Sequence, residues 1–322
     1  MKINMQWLQE WVAVREPAKA LAERLTLAGL EVGAVTDVAP ALEGVVVGEI
    51  VEIAPHPQAD NLRVCKVNVG QKAPLTIVCG AANAATGLKV PAALEGAVLA
   101  GGKKIGRATL RGVESAGMLC SATEVGLEEG AQGLLVLDAA AKPGTAITKQ
   151  LLLKDQQLEV ELTPNRGDCL SIQGLAREIA ALTGWRHTPV AIRTVSAKSR
   201  ARLPVTLTAS KACPRYAGRM VEAINLQART PDWLRECLRR GGVRCIHPVV
   251  DITNYVMLEL GQPMHAFDAD KLNKLITVRF AKKNEKIVLL DGKELDLDPA
   301  DLVIADAKGP AALAGIMGGQ LS

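Results

Sequence analysis

Apolar residues in the first forty positions recur at helical spacing. Trp7, Leu8, Trp11 and Val12 share one face, and Leu21, Leu25 and Ala28 continue in a second stretch that Gly29 can end. From Val45 the period changes. The runs VVVGEIVEI, LRVCKVNVG, PLTIVCG and LKVPAAL are short, rich in β-branched residues and separated by turns containing Gly, Pro or Asn. Several short strands at this spacing, with few helices between them, predict a small closed barrel. An OB-fold over residues 40–150 fits that pattern.

Beyond it, LEVELTP alternates strictly at Leu158, Val160 and Leu162, which predicts a strand. NRGDCLS follows, then a helix with Ile172, Leu175, Ile179 and Leu182 on one face, closed by Gly184. Residues 191–204 are polar and basic without a period, which marks a linker. A further domain starts at VTLTAS. Thr230 and Pro231 read as N-cap and first-turn proline of a helix that ends at Gly241-Gly242. Pro248 opens another, with Val249, Ile252, Val256 and Leu260 on its apolar face and Gly261 after it. ITVRF and KIVLL read as strands with Asp291-Gly292 as a hairpin turn, and DLVIAD and AALAGIM as a last strand pair. The expected class is α+β and multidomain. A helical segment (residues 1–39) packs with a strand–helix segment (151–190), the OB barrel (40–150) is inserted between them, and a mixed α+β domain (205–322) follows the linker. The stop directly after Gly318-Gly319 marks that last domain as truncated.

Composition adds boundaries. With 48% hydrophobic and 22% charged residues the chain reads as globular. Its most apolar stretch, from Ala311 to Gly319, is far short of the roughly 20 residues a membrane helix needs. The N-terminus alternates polar and apolar residues too often for a signal peptide, so a cytoplasmic location is expected. The seven cysteines include no C-x-x-C pair. With only four histidines (56, 187, 247 and 265) they offer no zinc spacing, so reduced cysteines and no metal are expected. A net charge of +4 does not by itself argue for a nucleic-acid partner. The stretch from Arg193 to Arg244, however, holds many Lys and Arg against only Glu222, Asp232 and Glu236, an excess that either faces phosphates or is simply solvated. Aromatic residues are 2% of the chain and none lies between residues 12 and 184. Aliphatic side chains must fill that core. The 40–150 region balances ten Lys or Arg against ten Asp or Glu, with one basic cluster at Lys103, Lys104, Arg107 and Arg111. Without aromatics on which to stack bases, it is expected to make weak, shape-based and salt-sensitive contacts to tRNA.

Three blocks in the β-rich region, HPQADNLRVCKVNVG (56–70), IVCGAANAATGLKVPAALEGAVL (77–99) and LRGVESAGMLCSATEVGL (110–127), together resemble the tRNA-binding OB module of aminoacyl-tRNA synthetase subunits and related RNA-binding proteins. TLAGLEV (26–32), LTPNRGDCLS (162–171), CPRYAGR (213–219), VVDITNYVMLELGQPMHAFD (249–268) and AGIMGG (314–319) narrow the likeness to bacterial phenylalanyl-tRNA synthetase β subunits. The resemblance implies a heterotetramer of two α and two β chains acting on the phenylalanine tRNA. Aminoacylation, with ATP and Mg2+, resides in the α subunit, so no cofactor is expected on this stretch. The β subunit supplies tRNA contacts, assembly surfaces and an editing site that hydrolyses mischarged Tyr-tRNA. The family's acidic residue that reads the tyrosine hydroxyl falls beyond Ser322, so this chain is expected to be inactive in aminoacylation and weak in editing. Two other readings are a free-standing tRNA-binding OB-fold protein and a trans-editing hydrolase.

Residue by residue, the resemblance places His265, Thr253 and Asn254 as catalytic groups of the editing site, Pro263, Met264, Gly315 and Gly318 as substrate-binding, and no metal. An imidazole with an ordinary pKa of about 6.5 suits orienting or polarising a water. Thr253 and Asn254 offer a hydroxyl and an amide, and the two glycines let backbone N–H groups come close to a ligand. Each also has a plainer role: His265 as a structural hydrogen-bonding group, Asn254 as a partner for a neighbouring turn, Gly318-Gly319 as a turn.

Overall fold

A computed structural model describes residues 1–320, so the final two positions of the 205–322 segment lie outside the described residues. The chain divides into two compact units. One comprises residues 1–190, 230–247 and 254–262, and the other 191–229, 248–253 and 263–322.

In the first unit, the strand Lys2–Asn4 leads into the helix Met5–Trp11, and the helix Ala18–Leu27 ends before Gly29, whose φ is +91°. The helical reading of the first forty residues is incomplete. Both Lys2–Asn4 and Glu31–Asp37 are strands, flanking Gln156–Glu161 in a three-stranded antiparallel sheet. Such strands are stabilised by a ladder partner more than 100 residues away, which a local period does not register. Leu158 and Val160 point from this sheet into a core with Ile3, Trp7, Leu8, Trp11, Leu21 and Leu25. The helix Ile172–Thr183 closes that core with Ile172, Leu175 and Ile179. Its first turn is capped where Ser171 Oγ accepts from Gly174 N–H, and Gly184 ends it in the left-handed conformation.

The β-rich region forms a curled five-stranded antiparallel sheet in the order Leu75–Cys79, Ala59–Asn68, Glu43–His56, Lys89–Val98, Gly117–Leu119. Ala116 N–H donates to Thr76 O at 2.9 Å and Val78 N–H to Ser115 Oγ at 3.0 Å, tying one edge towards the other. Two aliphatic clusters fill it, one around Val45, Val47, Ala93 and Ile147, the other around Ile50, Val67, Ile77 and Val90. Cys65, Cys79 and Cys120 are buried free thiols there. Burial pushes Cys65 up to about 11 and Cys120 to about 12, so neither is a thiolate at neutral pH.

The helix Asp232–Arg240 begins at Pro231 with no side-chain cap, one residue later than the Thr230-Pro231 signal suggests. It joins the first unit through buried charge. Arg240 donates to Asp155 Oδ2 at 3.2 Å, to Glu236 Oε2 at 3.2 Å and to the Leu151 carbonyl at 2.7 Å. Their side chains are only 5%, 3% and 7% exposed. Asp155 also receives Asn4 Nδ2 at 2.6 Å and the Gln6 N–H. Asp232 and Asp138 each accept the other's backbone N–H, at 2.8 and 3.0 Å.

The second unit is built on a five-stranded sheet in the order Val205–Leu207, Ile276–Phe280, Leu302–Ala305, Pro310–Leu313, Met317–Gly318, its first pair parallel and the rest antiparallel. The hairpin Lys286–Val288 and Glu294–Asp296 contributes Ile287 and Leu295 to a core beneath Val303 and Ala305. The helix Pro248–Leu260 divides between the units after Thr253. Its spacing marks Val249, Ile252, Val256 and Leu260 as the apolar face, but Ile252 is exposed. Leu260 packs on the first core as the spacing predicts, and Tyr255 and Leu258 join it there, with the Tyr255 ring stacked on Trp7 at 5.0 Å. A stacked pair outweighs one aliphatic side chain in choosing which face turns inward. No helix among the described residues is long and apolar enough to cross a membrane.

The buried charges set a test of the fold. Arg240→Leu leaves the buried Asp155 without its cation and Glu236 with Arg239 alone, and is expected to cost about 3–5 kcal/mol. Arg107→Ala, which removes two exposed and solvent-screened pairs, should leave the denaturation midpoint close to that of the unaltered chain. Urea denaturation of both variants measures the difference, and equal losses would show that the buried network does not hold the helix.

Candidate functional site

The residues expected to edit fall mostly in the second unit, and two of them, Gly315 and Gly318, lie on the hairpin of Pro310–Leu313 and Met317–Gly318. Ala312 lies opposite Gly318 and Leu313 opposite Met317. The turn between them puts Gly315 at φ +73°, with open space where a side chain would stand. Ile316, beside it, is 73% exposed. Gly318 is buried, and its carbonyl accepts from Leu290 N–H at 3.0 Å.

His265 lies directly against this glycine. A Cβ added at Gly318 would overlap His265 Cε1, come to 2.6 Å from Nε2 and press on Leu290 Cδ1. The backbone thus closely approaches the ring, and the ring itself is what excludes a side chain. Phe267 packs edge-on with the ring, their centroids 4.5 Å apart at 69°. The residue as a whole is exposed, but its ring is in contact with both Phe267 and the Gly318 backbone. The resulting desolvation lowers the imidazole pKa below its ordinary value. A neutral imidazole with one wet edge can accept a proton from water or orient it.

The other expected residues are placed less tightly. Pro263 and Met264 precede His265 on an exposed, irregular stretch. Thr253 groups with the same unit as His265, but its hydroxyl donates to Val250 O at 2.8 Å, which leaves it acceptor capacity only. Asn254 groups with the first unit. Phe267 and Leu290 were not singled out from sequence. Phe267 stands two residues after His265, but Leu290 reaches Gly318 through a backbone hydrogen bond from a turn, without a local signal.

On the curled sheet, Lys103, Lys104, Arg107 and Arg111 are all exposed but are not equivalent. Arg107 is clamped at 2.8 Å by both Glu95 and Glu114, which neutralise it locally. Lys103 and Lys104 ride an excursion after strand Lys89–Val98 that Gly101 and Gly102, both at positive φ, fold back, with Leu99 N–H bonded to Lys103 O. Arg111 occupies the separate tip between the strands Ala108–Leu110 and Val113–Ser115. The basic excess from Arg193 to Arg244 is also partly internal, because Arg235, Arg239 and Arg240 pair with Asp232 and Glu236. Asp168, Cys169 and Glu178 bring potential metal ligands within 4.8 Å of one another. A guanidinium fills that role: Arg166 reaches Glu178 at 2.9 Å, Asp168 at 3.2 Å and Cys169 Sγ at 3.0 Å.

Two family models match the chain. One, described as a putative tRNA binding domain, covers residues 45–146, and the other, described as a B3/4 domain, covers residues 212–322. Over all 322 residues the chain is 51% identical to the phenylalanine–tRNA ligase beta subunit of Hahella chejuensis and 51% identical to that of Methylococcus capsulatus. It is 50% identical to the same subunit from Photorhabdus laumondii. It spans 41%, 41% and 40% of those proteins, about two-fifths of their length. Among solved structures, an N-terminal fragment of the phenylalanyl-tRNA synthetase beta subunit from Pyrococcus horikoshii is 18% identical. That match covers 52% of this chain and 51% of that one, with a TM-score of 0.26.

The packing around His265 makes two measurable statements. In an NMR titration its Cε1 proton should show a midpoint below about 6.5, the value of a free histidine. Gly318→Ala should displace the ring into water, returning that midpoint towards the ordinary value and lowering stability by about 1–3 kcal/mol through overpacking. An unchanged midpoint in the variant would show that Gly318 does not hold the ring.

Proposed function

We propose that this chain, homologous along its whole length to phenylalanine–tRNA ligase beta subunits, contacts the phenylalanine tRNA through its OB-like sheet and carries, in its B3/4 domain, part of a site that hydrolyses Tyr-tRNA. The observation that carries the hydrolytic half is the packing of His265 against Gly318, which sets an imidazole of lowered pKa on the strand that follows the open turn at Gly315. The chemistry explains why such a site is needed. Tyrosine exceeds phenylalanine by one hydroxyl, and an apolar pocket rejects an added hydroxyl by only about 100-fold. A second pocket that recognises the hydroxyl and cleaves the ester raises accuracy multiplicatively.

In this reading the wet edge of His265 orients a water for attack on the ester carbonyl and takes up its proton. Backbone near Gly315 and Gly318 lies close to the aminoacyl group, Thr253 accepts a hydrogen bond from it, and Pro263 and Met264 line the approach. Lys103, Lys104 and Arg111 meet phosphates, while Arg107 chiefly braces the sheet. Aminoacylation, with ATP and Mg2+, belongs to an α subunit in a cytoplasmic heterotetramer of two α and two β chains. The region 1–39 with 151–190 forms the scaffold, 40–150 the tRNA-binding domain and 205–322 the editing portion.

The test compares hydrolysis of Tyr-tRNA by this chain, by its His265→Ala variant and by a full-length beta subunit, together with tRNA binding at several salt concentrations. Slow hydrolysis that His265→Ala abolishes is expected, rising with pH to a plateau as the imidazole loses its proton below about pH 6.5. Hydrolysis at the full-length rate would overturn the partial-site reading. Binding that ignores salt would overturn the phosphate contacts.

A further inference from the structure

His56 is the one histidine in the curled sheet, and it is 6% exposed. It ends the long strand Glu43–His56, just before the turn at Pro57 and Gln58. Both of its ring nitrogens are engaged, and the partners decide the tautomer. Gln58 N–H donates to Nδ1 at 3.1 Å, so Nδ1 carries no proton. Nε2 therefore carries it and donates to Leu110 O at 3.0 Å. Leu110 is the last residue before the turn at Arg111 and Gly112. The ring thus spans two hairpin tips that are 54 residues apart in sequence.

The second tip is unusual in its own right. Its turn residues sit at φ +44° and +82°, the left-handed pair of a tight two-residue hairpin. Glycine suits that conformation, but arginine is strained in it, and strained side chains persist where the surroundings over-determine them. Here they do. Arg111 Nη1 donates back to Gln58 O at 3.3 Å, on the turn that His56 holds, and a Cβ added at Gly112 would meet the Gln58 side chain at 3.7 Å. At the base of the same hairpin the buried Ser115 hydroxyl accepts from Val78 N–H and donates to Gly117 O. With base and tip both fixed, the guanidinium of Arg111 is committed through one nitrogen, and its remaining N–H groups face solvent on an exposed residue. Arg107, by contrast, is neutralised by two glutamates.

We propose that His56 is a positioning residue: by bridging the two tips it presents Arg111 to one phosphate of a folded RNA. The inference rests on the tRNA-contact reading above. It makes the contact a fixed point of the fold, unlike a charge on a mobile loop, and makes a buried, uncharged side chain a determinant of RNA affinity.

The experiment measures binding of an unmodified phenylalanine-tRNA transcript to the 322-residue chain across a salt series. The slope of log affinity against log salt counts phosphates at about 0.9 per contact in duplex nucleic acid. Arg111→Ala should flatten the slope by about one contact. His56→Phe keeps the buried ring but makes neither hydrogen bond, and it should flatten the slope by the same amount. His56→Gln can still donate to Leu110 O and should recover most of the affinity. The double variant His56→Phe/Arg111→Ala should lose no more than either single change, whereas adding Lys103→Ala should lose a further contact. Circular dichroism and melting curves of each variant separate a lost contact from an unfolded sheet. A wild-type slope in His56→Phe, or additive losses in the double variant, would refute the positioning role while leaving tRNA contact intact. An unchanged slope in Arg111→Ala would remove the phosphate contact itself. No salt-dependent binding by the unaltered chain would remove the tRNA reading and this proposal with it.

Discussion

A guanidinium buried among two carboxylates fixes how the first unit is assembled. Arg240 arrives there only after the chain has left the unit at residue 191 and returned at residue 230. An apolar helix face could slide or rotate by a few ångströms at modest cost. A buried ion network permits one register, because any displacement strands a charge away from water. Asp155 meets Arg240, Asn4 and the Gln6 backbone together, so the first helix, the start of the central strand of the small sheet and the returning helix are specified by the same carboxylate. This gives a chain with few aromatic side chains a means of fixing its architecture that does not depend on bulky packing.

Much of the fold could be read from local chemistry. The alternation at Leu158 and Val160, the helix stops at Gly29 and Gly184 and the β-rich runs from Val45 all report their own environment, and the structure places them accordingly. What escaped was whatever depends on a distant partner. The strands Lys2–Asn4 and Glu31–Asp37 exist because Gln156–Glu161 lies between them. Arginines read as solvated or phosphate-facing include Arg235, Arg239 and Arg240, which the fold turns inward onto acids. A charge in a sequence carries no mark of whether its counter-ion is a neighbour, a partner or water.

The candidate site divides along the same line. Gly318 was noticed as a glycine suited to close backbone approach, and the structure supplies the reason for the missing side chain, an imidazole ring in the space it would fill. His265 was noticed for its chemistry, whereas the Phe267 ring that helps desolvate it was not. Thr253, read as offering a hydroxyl, donates its hydrogen bond to the Val250 carbonyl of its own helix. Side-chain type and short spacing identify which atoms are available, but only the packed structure assigns them partners.

The aromatic desert between residues 12 and 184 has a consequence for anyone following the unfolding of this protein by light. The four tryptophans sit at positions 7, 11, 185 and 233, outside the curled sheet, and Trp7 and Trp11 are buried in the helical core. Emission from these indoles reports the loosening of that core and of the returning helix, while the sheet between them has no chromophore with which to register its own melting. A fluorescence transition and a far-ultraviolet dichroism transition measured on this chain are therefore clocks for different parts of it.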